Sequence, residues 1–423
     1  MDHRGTHQAA RTESEQHVFY EAYELQRASL TPLRLMATGT LSFLDLPFNP
    51  IRPTPAGRIA AAALDSFEHS TRRFGKPRFG HTSTVIDGKE IAVSEEIVAT
   101  RTWGDLKRFR RVADRPQDPK VLIVAPMSGH FATLLRGTVK EFLPDHDVYI
   151  TDWRDARTVP IMAPDFGLDD YQDYIMEFIR LLGPELHLVA VCQPAVPVLA
   201  AVALLNEREP HAAPRSMTLI GGPIDAREGP TAVNDFAMRH DLTWFKRNVI
   251  HRVPFGYPGF LRPVYPGFLQ LAGFIAMNLD RHVEAHAQMF QHLVQGDGEP
   301  LAAKRRFYEE YRSVMDLCAT FYLETIKAVF LEHHLPRGIF RHRGTRVDPS
   351  AIERTAMMTI EGERDDISGL GQTRAAHALT MRLPDEKRAH WEQAGVGHYG
   401  LFNGRRFRTD IAPRIKAFIA AHP

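Results

Sequence analysis

Short runs of apolar residues recur through the middle of the chain, each stopping abruptly at a turn-forming residue. Val121-Leu122-Ile123-Val124-Ala125 ends at Pro126, Asp147 to Thr151 forms a second run, Leu186 to Val191 a third, and Ser216 to Ile220 a fourth, closed by Gly221-Gly222-Pro223. Two more come late, at Ala356 to Ile360 and near Ala389-His390-Trp391. These runs are apolar throughout rather than alternating, which is the pattern of strands buried on both faces. Helical segments separate most of them, so the spacing predicts an α/β domain around a doubly wound, mostly parallel sheet with helices on both faces. Upstream, Ser83 to Ile86 and Ile91 to Ala99 flank Asp87-Gly88, a pair that favours the positive φ angles of a tight hairpin. Before that, Tyr20, Tyr23, Leu25, Leu30, Leu33 and Leu35 recur at roughly helical spacing. This predicts amphipathic helices, expected by default to pack on the core. Residues 1–17 read as a weakly ordered lead.

The stretch from about 225 to 350 interrupts the strand-helix alternation. It carries a near-repeat, Tyr257-Pro258-Gly259-Phe260-Leu261 and Tyr265-Pro266-Gly267-Phe268-Leu269, too short and too few for a solenoid. From Leu271 to about His334 the pattern is helical and rich in Phe, Tyr and Met, which predicts a helical cap over the α/β core. The expected division is therefore 1–80, a lead with amphipathic helices; 81–225, the first part of the core; 226–350, the cap inserted between the fourth core strand and the next; and 351–423, the rest of the core.

Composition narrows the function. With 423 residues, 44% hydrophobic and 24% charged, the chain is long enough for a large core. Its 52 basic and 51 acidic residues nearly cancel, so no global field favours nucleic acid or an anionic membrane. The basic clusters Lys107 to Arg111 and Arg341-His342-Arg343 read as solvated faces. Two cysteines, Cys192 and Cys318, point to a reducing compartment and away from a disulfide framework or cysteine-rich zinc site. The polar start has no hydrophobic core of a signal peptide, so cytoplasmic residence is expected. A long uncharged run, Val189 to Leu205, contains Gln193, Pro194 and Pro197 and falls just short of a comfortable membrane span.

Candidate chemistry gathers at the ends of the apolar runs. Cys192 follows the third one and precedes a segment of small residues, the order strand, tight turn, helix of a nucleophile elbow. Against the GxSxG pattern of such elbows, Ala190 and Pro194 stand in the glycine positions and Cys192 in place of serine; the alternative is a buried cysteine acting as a small hydrophobe. A thiol nucleophile needs a base, a group that orients the base, and donors for the oxyanion. The acid is expected just beyond the strand Ala356 to Ile360, as Asp365, with Asp366 its open alternative. The base is expected as His398, between the glycines of Gly395-Val396-Gly397-His398-Tyr399-Gly400. Oxyanion donors would be the backbone N–H of Gln193 and that of Met127 or Ser128. Ser128 as a nucleophile lacks an elbow pattern. The other histidines, including His130 and the pair His333-His334, read as solvated or structural, since no HExxH or HxxEH spacing accompanies them.

With these residues in view, the chain resembles the intracellular polyhydroxyalkanoate depolymerases that degrade amorphous poly(3-hydroxybutyrate). The likeness rests on HLVAVCQPAVPVLA around Cys192, VYITDWRDAR at 148 to 157, MDLCATFYLET at 315 to 325, EGERDDISGLGQT at 361 to 373 and GVGHYGLFNGRRFR at 395 to 408. It implies an α/β-hydrolase fold, a triad of Cys192, the aspartate of ERDDI and His398, and the surface of cytoplasmic storage granules as partner. It implies no metal or bound cofactor; water, or coenzyme A as an acyl acceptor, would release the product. Two rivals are a polyhydroxyalkanoate synthase-like acyltransferase, disfavoured because synthases resemble GxCxGG where this chain has AxCxP, and a non-catalytic granule-coat protein, disfavoured by the retained triad candidates. Homo-oligomerisation is left open.

Overall fold

The computed structural model describes residues 18–423 except 114, 116, 278–287, 289–292, 294–304 and 306. The expected lead, residues 1–17, and much of the middle of the expected cap lie outside the described residues. At the centre is a nine-stranded sheet: β1 (Ser83–Ile86), β2 (Lys89–Thr100), β3 (Gly104–Arg111), β4 (Lys120–Val124), β5 (Asp147–Trp153), β6 (Leu186–Val191), β7 (Ser216–Ile220), β8 (Ala356–Gly362) and β9 (Arg388–Gln393). In space they run β1-β2-β3-β5-β4-β6-β7-β8-β9. From β5 to β9 every pairing is parallel, while β1, β2 and β3 add on antiparallel. This is the α/β-hydrolase fold.

The sequence pattern accounts for the sheet's centre. Every residue of β6, β7 and β8 is buried, so an apolar run is the only composition those strands tolerate. The hairpin turns at Asp87 (φ +50°) and Gly88 (φ +76°), both in the left-handed region that this dipeptide accommodates. The sequence reading missed β3, having taken Lys107 to Arg111 for a solvated face. Leu106 and Phe109 are fully buried, and the charges between them are paired. Arg108 holds Asp147 of the neighbouring strand through two hydrogen bonds of 2.9 and 3.0 Å, and Lys107 sits 3.1 Å from Glu95 and 3.3 Å from Asp152. Carboxylates on flanking strands let a strand this basic sit inside a sheet.

A second correction concerns the N-terminal helices, residues 18–29 and Thr31–Leu44, which were expected to pack by their apolar spacing. Tyr20 is fully buried, yet Leu25, Leu33 and Leu35 are exposed. A further helix, Pro55–Thr71, begins at Thr54, whose side chain caps Gly57 N–H, with proline at the first turn. Within the long connection from β7 to β8, the two copies of the near-repeat part ways: the first forms turns, and the second opens the helix Gly267–Met277.

The strand order sets where a site can form. The chain leaves β4 towards β5 on one side, then returns to β6 on the other side of β4. Loops after β4 and β6 therefore diverge and leave a crevice at the carboxyl ends of these strands, where ligands bind in open α/β sheets. Cys192 follows β6, and Met127 and Ser128 follow β4.

Candidate active site

Cys192 is the residue after β6, and its φ is +67°. A non-glycine residue in the left-handed region costs on the order of 1–2 kcal/mol, so surrounding bonds must hold it there. Its N–H donates to Ile220 O (2.7 Å), and its carbonyl accepts from Ala195 N–H (3.0 Å). The helix Ala195–Arg208 starts at once, buried on all sides from Ala195 to Asn206. The turn thus lifts the partly buried thiol clear of the sheet edge.

The geometry explains why the elbow does without its usual glycines. Pro194 is in helical conformation at the cap position (φ −59°), where a missing N–H costs nothing. The close approach falls just beyond the end of β7 instead. A Cβ on Gly222 would lie 2.1 Å from the Ala195 Cβ and 2.9 Å from Cys192 O, so the chain beside the elbow must be glycine there. At Gly221, φ is +54°, and a Cβ would press within 3.3 Å of both Asp365 Oδ2 and His398 Cε1. The Gly221-Gly222 pair, read from sequence only as the end of a strand, is what makes room for the site.

Asp365 follows β8 and His398 follows β9, and the structure brings them together: His398 Nδ1 lies 2.8 Å from Asp365 Oδ2. The other carboxylate oxygen accepts from the N–H groups of Ile367 (2.9 Å) and Ser368 (2.8 Å). A carboxylate only accepts, so Nδ1 carries the proton and Nε2 is the nitrogen left for the hydrogen bond with Cys192. Asp366 is exposed and not part of this pair. The two loops are tied by Glu363 N–H to Gln393 O (3.1 Å) and Arg364 N–H to Val396 O (3.0 Å). Burial opposes charge on His398, but Asp365 and then Cys192, which also hydrogen-bonds the imidazole, outweigh it and hold its pKa well above 6.5.

The loop after β4 is gripped from three sides. Met127 N–H donates to Gln193 Oε1 at 3.2 Å. Met315 N–H donates to Gly129 O (2.7 Å). Gln270 packs so closely that a Cβ on Gly129 (φ +108°) would meet its Oε1 at 2.5 Å. Ser128 is partly buried on the same loop. His130 is no solvated histidine: it is buried, its Nε2 is 3.0 Å from Tyr311 O, and desolvation takes its pKa down to about 4 against that bond. Its ring joins Phe274, Tyr311 and Tyr399 in an aromatic wall whose Tyr399 ring lies 6.0 Å from that of His398. Neither this wall nor the Gln193 side chain was visible as a site feature in the sequence, because its parts come from four separate segments.

Among the described residues, no group of three or more His, Cys, Asp or Glu side chains is placed to hold a metal ion, and no helix is long and apolar enough to cross a membrane. The arrangement can take a proton from a thiol and orient the base that takes it, and the loops that follow β4 and β6 meet beside that thiol through the Met127 N–H bond to Gln193 Oε1. That is the equipment of acyl transfer.

Residues 221–423 match the family model described as PHB de-polymerase C-terminus, a span that includes Asp365 and His398 and begins after Cys192. No curated protein matches the chain. Solved structures that resemble it include an esterase from Rhodococcus sp. ECU1013 (13% identity, 78% of this chain and 99% of that one, TM-score 0.43). Others are the 2-hydroxy-6-oxo-6-phenylhexa-2,4-dienoate hydrolase of Rhodococcus sp. strain RHA1 (12%, 78% and 99%, 0.41) and a monoacylglycerol lipase of Paleococcus ferrophilus (11%, 79% and 100%, 0.40).

Proposed function

We propose that this chain, whose residues 221–423 match the family model described as PHB de-polymerase C-terminus, is a carboxylic-ester hydrolase that cleaves poly(3-hydroxybutyrate) through a Cys192-His398-Asp365 triad. The observation that carries the reading is the strained elbow: a cysteine at φ +67° beside a histidine whose far nitrogen is 2.8 Å from a saturated, buried carboxylate. A structural cysteine has no need of the left-handed turn.

In the proposed reaction, His398 Nε2 takes the Cys192 proton as the sulfur bonds to the ester carbonyl carbon. The carbonyl π electrons move onto oxygen, and this oxyanion is held by the backbone N–H groups of Gln193 and of Met127 or Ser128. Collapse expels the alkoxide of the next repeat unit, which takes the proton from His398 and leaves a thioester on Cys192. Water, deprotonated by the same imidazole, then attacks the thioester, and the thiol recovers its proton. Asp365 keeps the proton on Nδ1 and stabilises the imidazolium in both halves. No step calls for a metal or a bound cofactor. The proposed setting is the cytoplasm, at the surface of storage granules.

The test is to incubate the purified protein with amorphous polymer, with and without coenzyme A, and to identify soluble products. Release of 3-hydroxybutyrate or its oligomers is expected, and Cys192→Ala should bind polymer but release nothing. A thioester formed only with coenzyme A would replace water as the acceptor. No soluble product in either condition, or release by Cys192→Ala at the wild-type rate, would overturn the reading.

A further inference from the structure

The Gln193 side chain is used by none of the steps above, yet it sits on one of their donors. Its Oε1 accepts from Met127 N–H at 3.2 Å. The amide orientation follows from chemistry, since only the oxygen can face an N–H. The other end of the carboxamide, Nε2, is buried and has no hydrogen-bond partner among the described residues. Met127 itself is 1% exposed. The carboxamide is therefore held at one end only, by a bond at the long limit of the usual range.

We infer that the Gln193 carboxamide is a resident occupant of the oxyanion hole: its carbonyl oxygen stands where an ester carbonyl oxygen would go, and substrate must displace it. The inference rests on the triad reading and takes Met127, of the two donors which that reading leaves open, as the one that serves the oxyanion. One N–H cannot serve both acceptors with good geometry. In the empty site Gln193 spares a buried donor the cost of going unpaired. Once substrate arrives, a neutral carbonyl competes on nearly even terms, and the oxyanion competes better because its hydrogen bond is charge-assisted. Swinging the carboxamide away breaks nothing at Nε2. The occupied fraction of the resting enzyme lowers apparent substrate affinity by that fraction.

Gln193→Met keeps the length of the side chain and removes the acceptor. A net neutral hydrogen bond corresponds to roughly a 2- to 12-fold change in an equilibrium constant. The variant's kcat/KM on a soluble p-nitrophenyl ester should therefore rise by about that factor, carried by KM. Inhibition by an aldehyde that forms a hemithioacetal with the cysteine should tighten in parallel. In resting protein labelled at methionine amides, Met127 N–H should exchange with solvent faster in the variant, and this readout requires no turnover. A fall in kcat with KM unmoved would overturn the inference and make Gln193 a positioning residue for the loop, as would unchanged Met127 exchange. Gln193→Leu serves where the methionine variant does not fold. If wild type hydrolyses no ester, or Cys192→Ala retains the activity, the triad reading fails, whereas Met127 exchange still reports whether Gln193 holds that N–H.

Discussion

Replacing Asp365 with asparagine changes one atom of the side chain and removes one charge. Three bonds converge on the carboxylate: Ile367 and Ser368 N–H on Oδ1, and His398 Nδ1 on Oδ2. Asparagine has a single oxygen, which two backbone donors will keep. Its NH2 then faces His398 Nδ1, which must accept, so the ring proton moves to Nε2 and the imidazole can no longer take the Cys192 proton. In Ser-His-Asp enzymes the equivalent exchange costs about 10^4-fold in turnover. We expect kcat on a soluble ester to fall by roughly 10^3- to 10^4-fold with little change in KM. Losing a charge-assisted bond should also cost about 1.5–3 kcal/mol of stability. That cost depends on pH. The folded pKa of His398 is raised above its ordinary value, so its protonation stabilises the native state. This contribution is fully present below about pH 6.5 and is lost as pH rises through the raised folded value. The gap in thermal midpoint between wild type and Asp365→Asn should therefore be widest near the lower bound and narrow as pH rises. Retention of kcat/KM within tenfold of wild type, or equal damage from Asp366→Asn, would refute the assignment of Asp365 as the orienting group.

Two further predictions concern the scaffold. Gly222→Ala would place a methyl group 2.1 Å from the Ala195 Cβ and so push the start of the helix behind the elbow. A loss of about 1–3 kcal/mol with a steep fall in esterase activity is expected by denaturant unfolding and kinetics, and near-wild-type values on both would contradict the close approach. Tyr20→Phe removes the 2.7 Å hydrogen bond to Asp316 Oδ2, which joins the first helix to the segment that also grips the loop after β4. Desolvation and then the nearby Asp155 already raise the Asp316 pKa to about 6, and the variant should raise it further. Faster proteolytic cutting near residue 18 at unchanged kcat is expected, and an unchanged cleavage pattern would show that the aromatic contacts with Phe268 suffice.

Much of the core could be read from the chain alone. Strands buried on both faces admit little but apolar residues, so β4 to β8 announce themselves, and the cysteine, acidic and histidine candidates follow their strands in the order the fold requires. Other features depend on partners that no local pattern reveals. The β3 strand is hidden by charges that Asp147, Glu95 and Asp152 neutralise only once the neighbouring strands are in place. The exposed face of Thr31–Leu44 has the spacing of a packed helix, and periodicity records which residues share a face, not whether anything covers it. The choice between Asp365 and Asp366 was open because adjacent residues point in different directions, and only the loop's fold puts one of them against His398. Ala190 and Pro194 look like defects in an elbow, yet the space they seem to deny is supplied by Gly221 and Gly222, just beyond the end of β7. Sequence determined which residues can do chemistry and the order in which the fold presents them. Tertiary structure decided what faces what, including the Gln193 oxygen on Met127 N–H, because such contacts join segments far apart in the chain and leave no periodic trace in it.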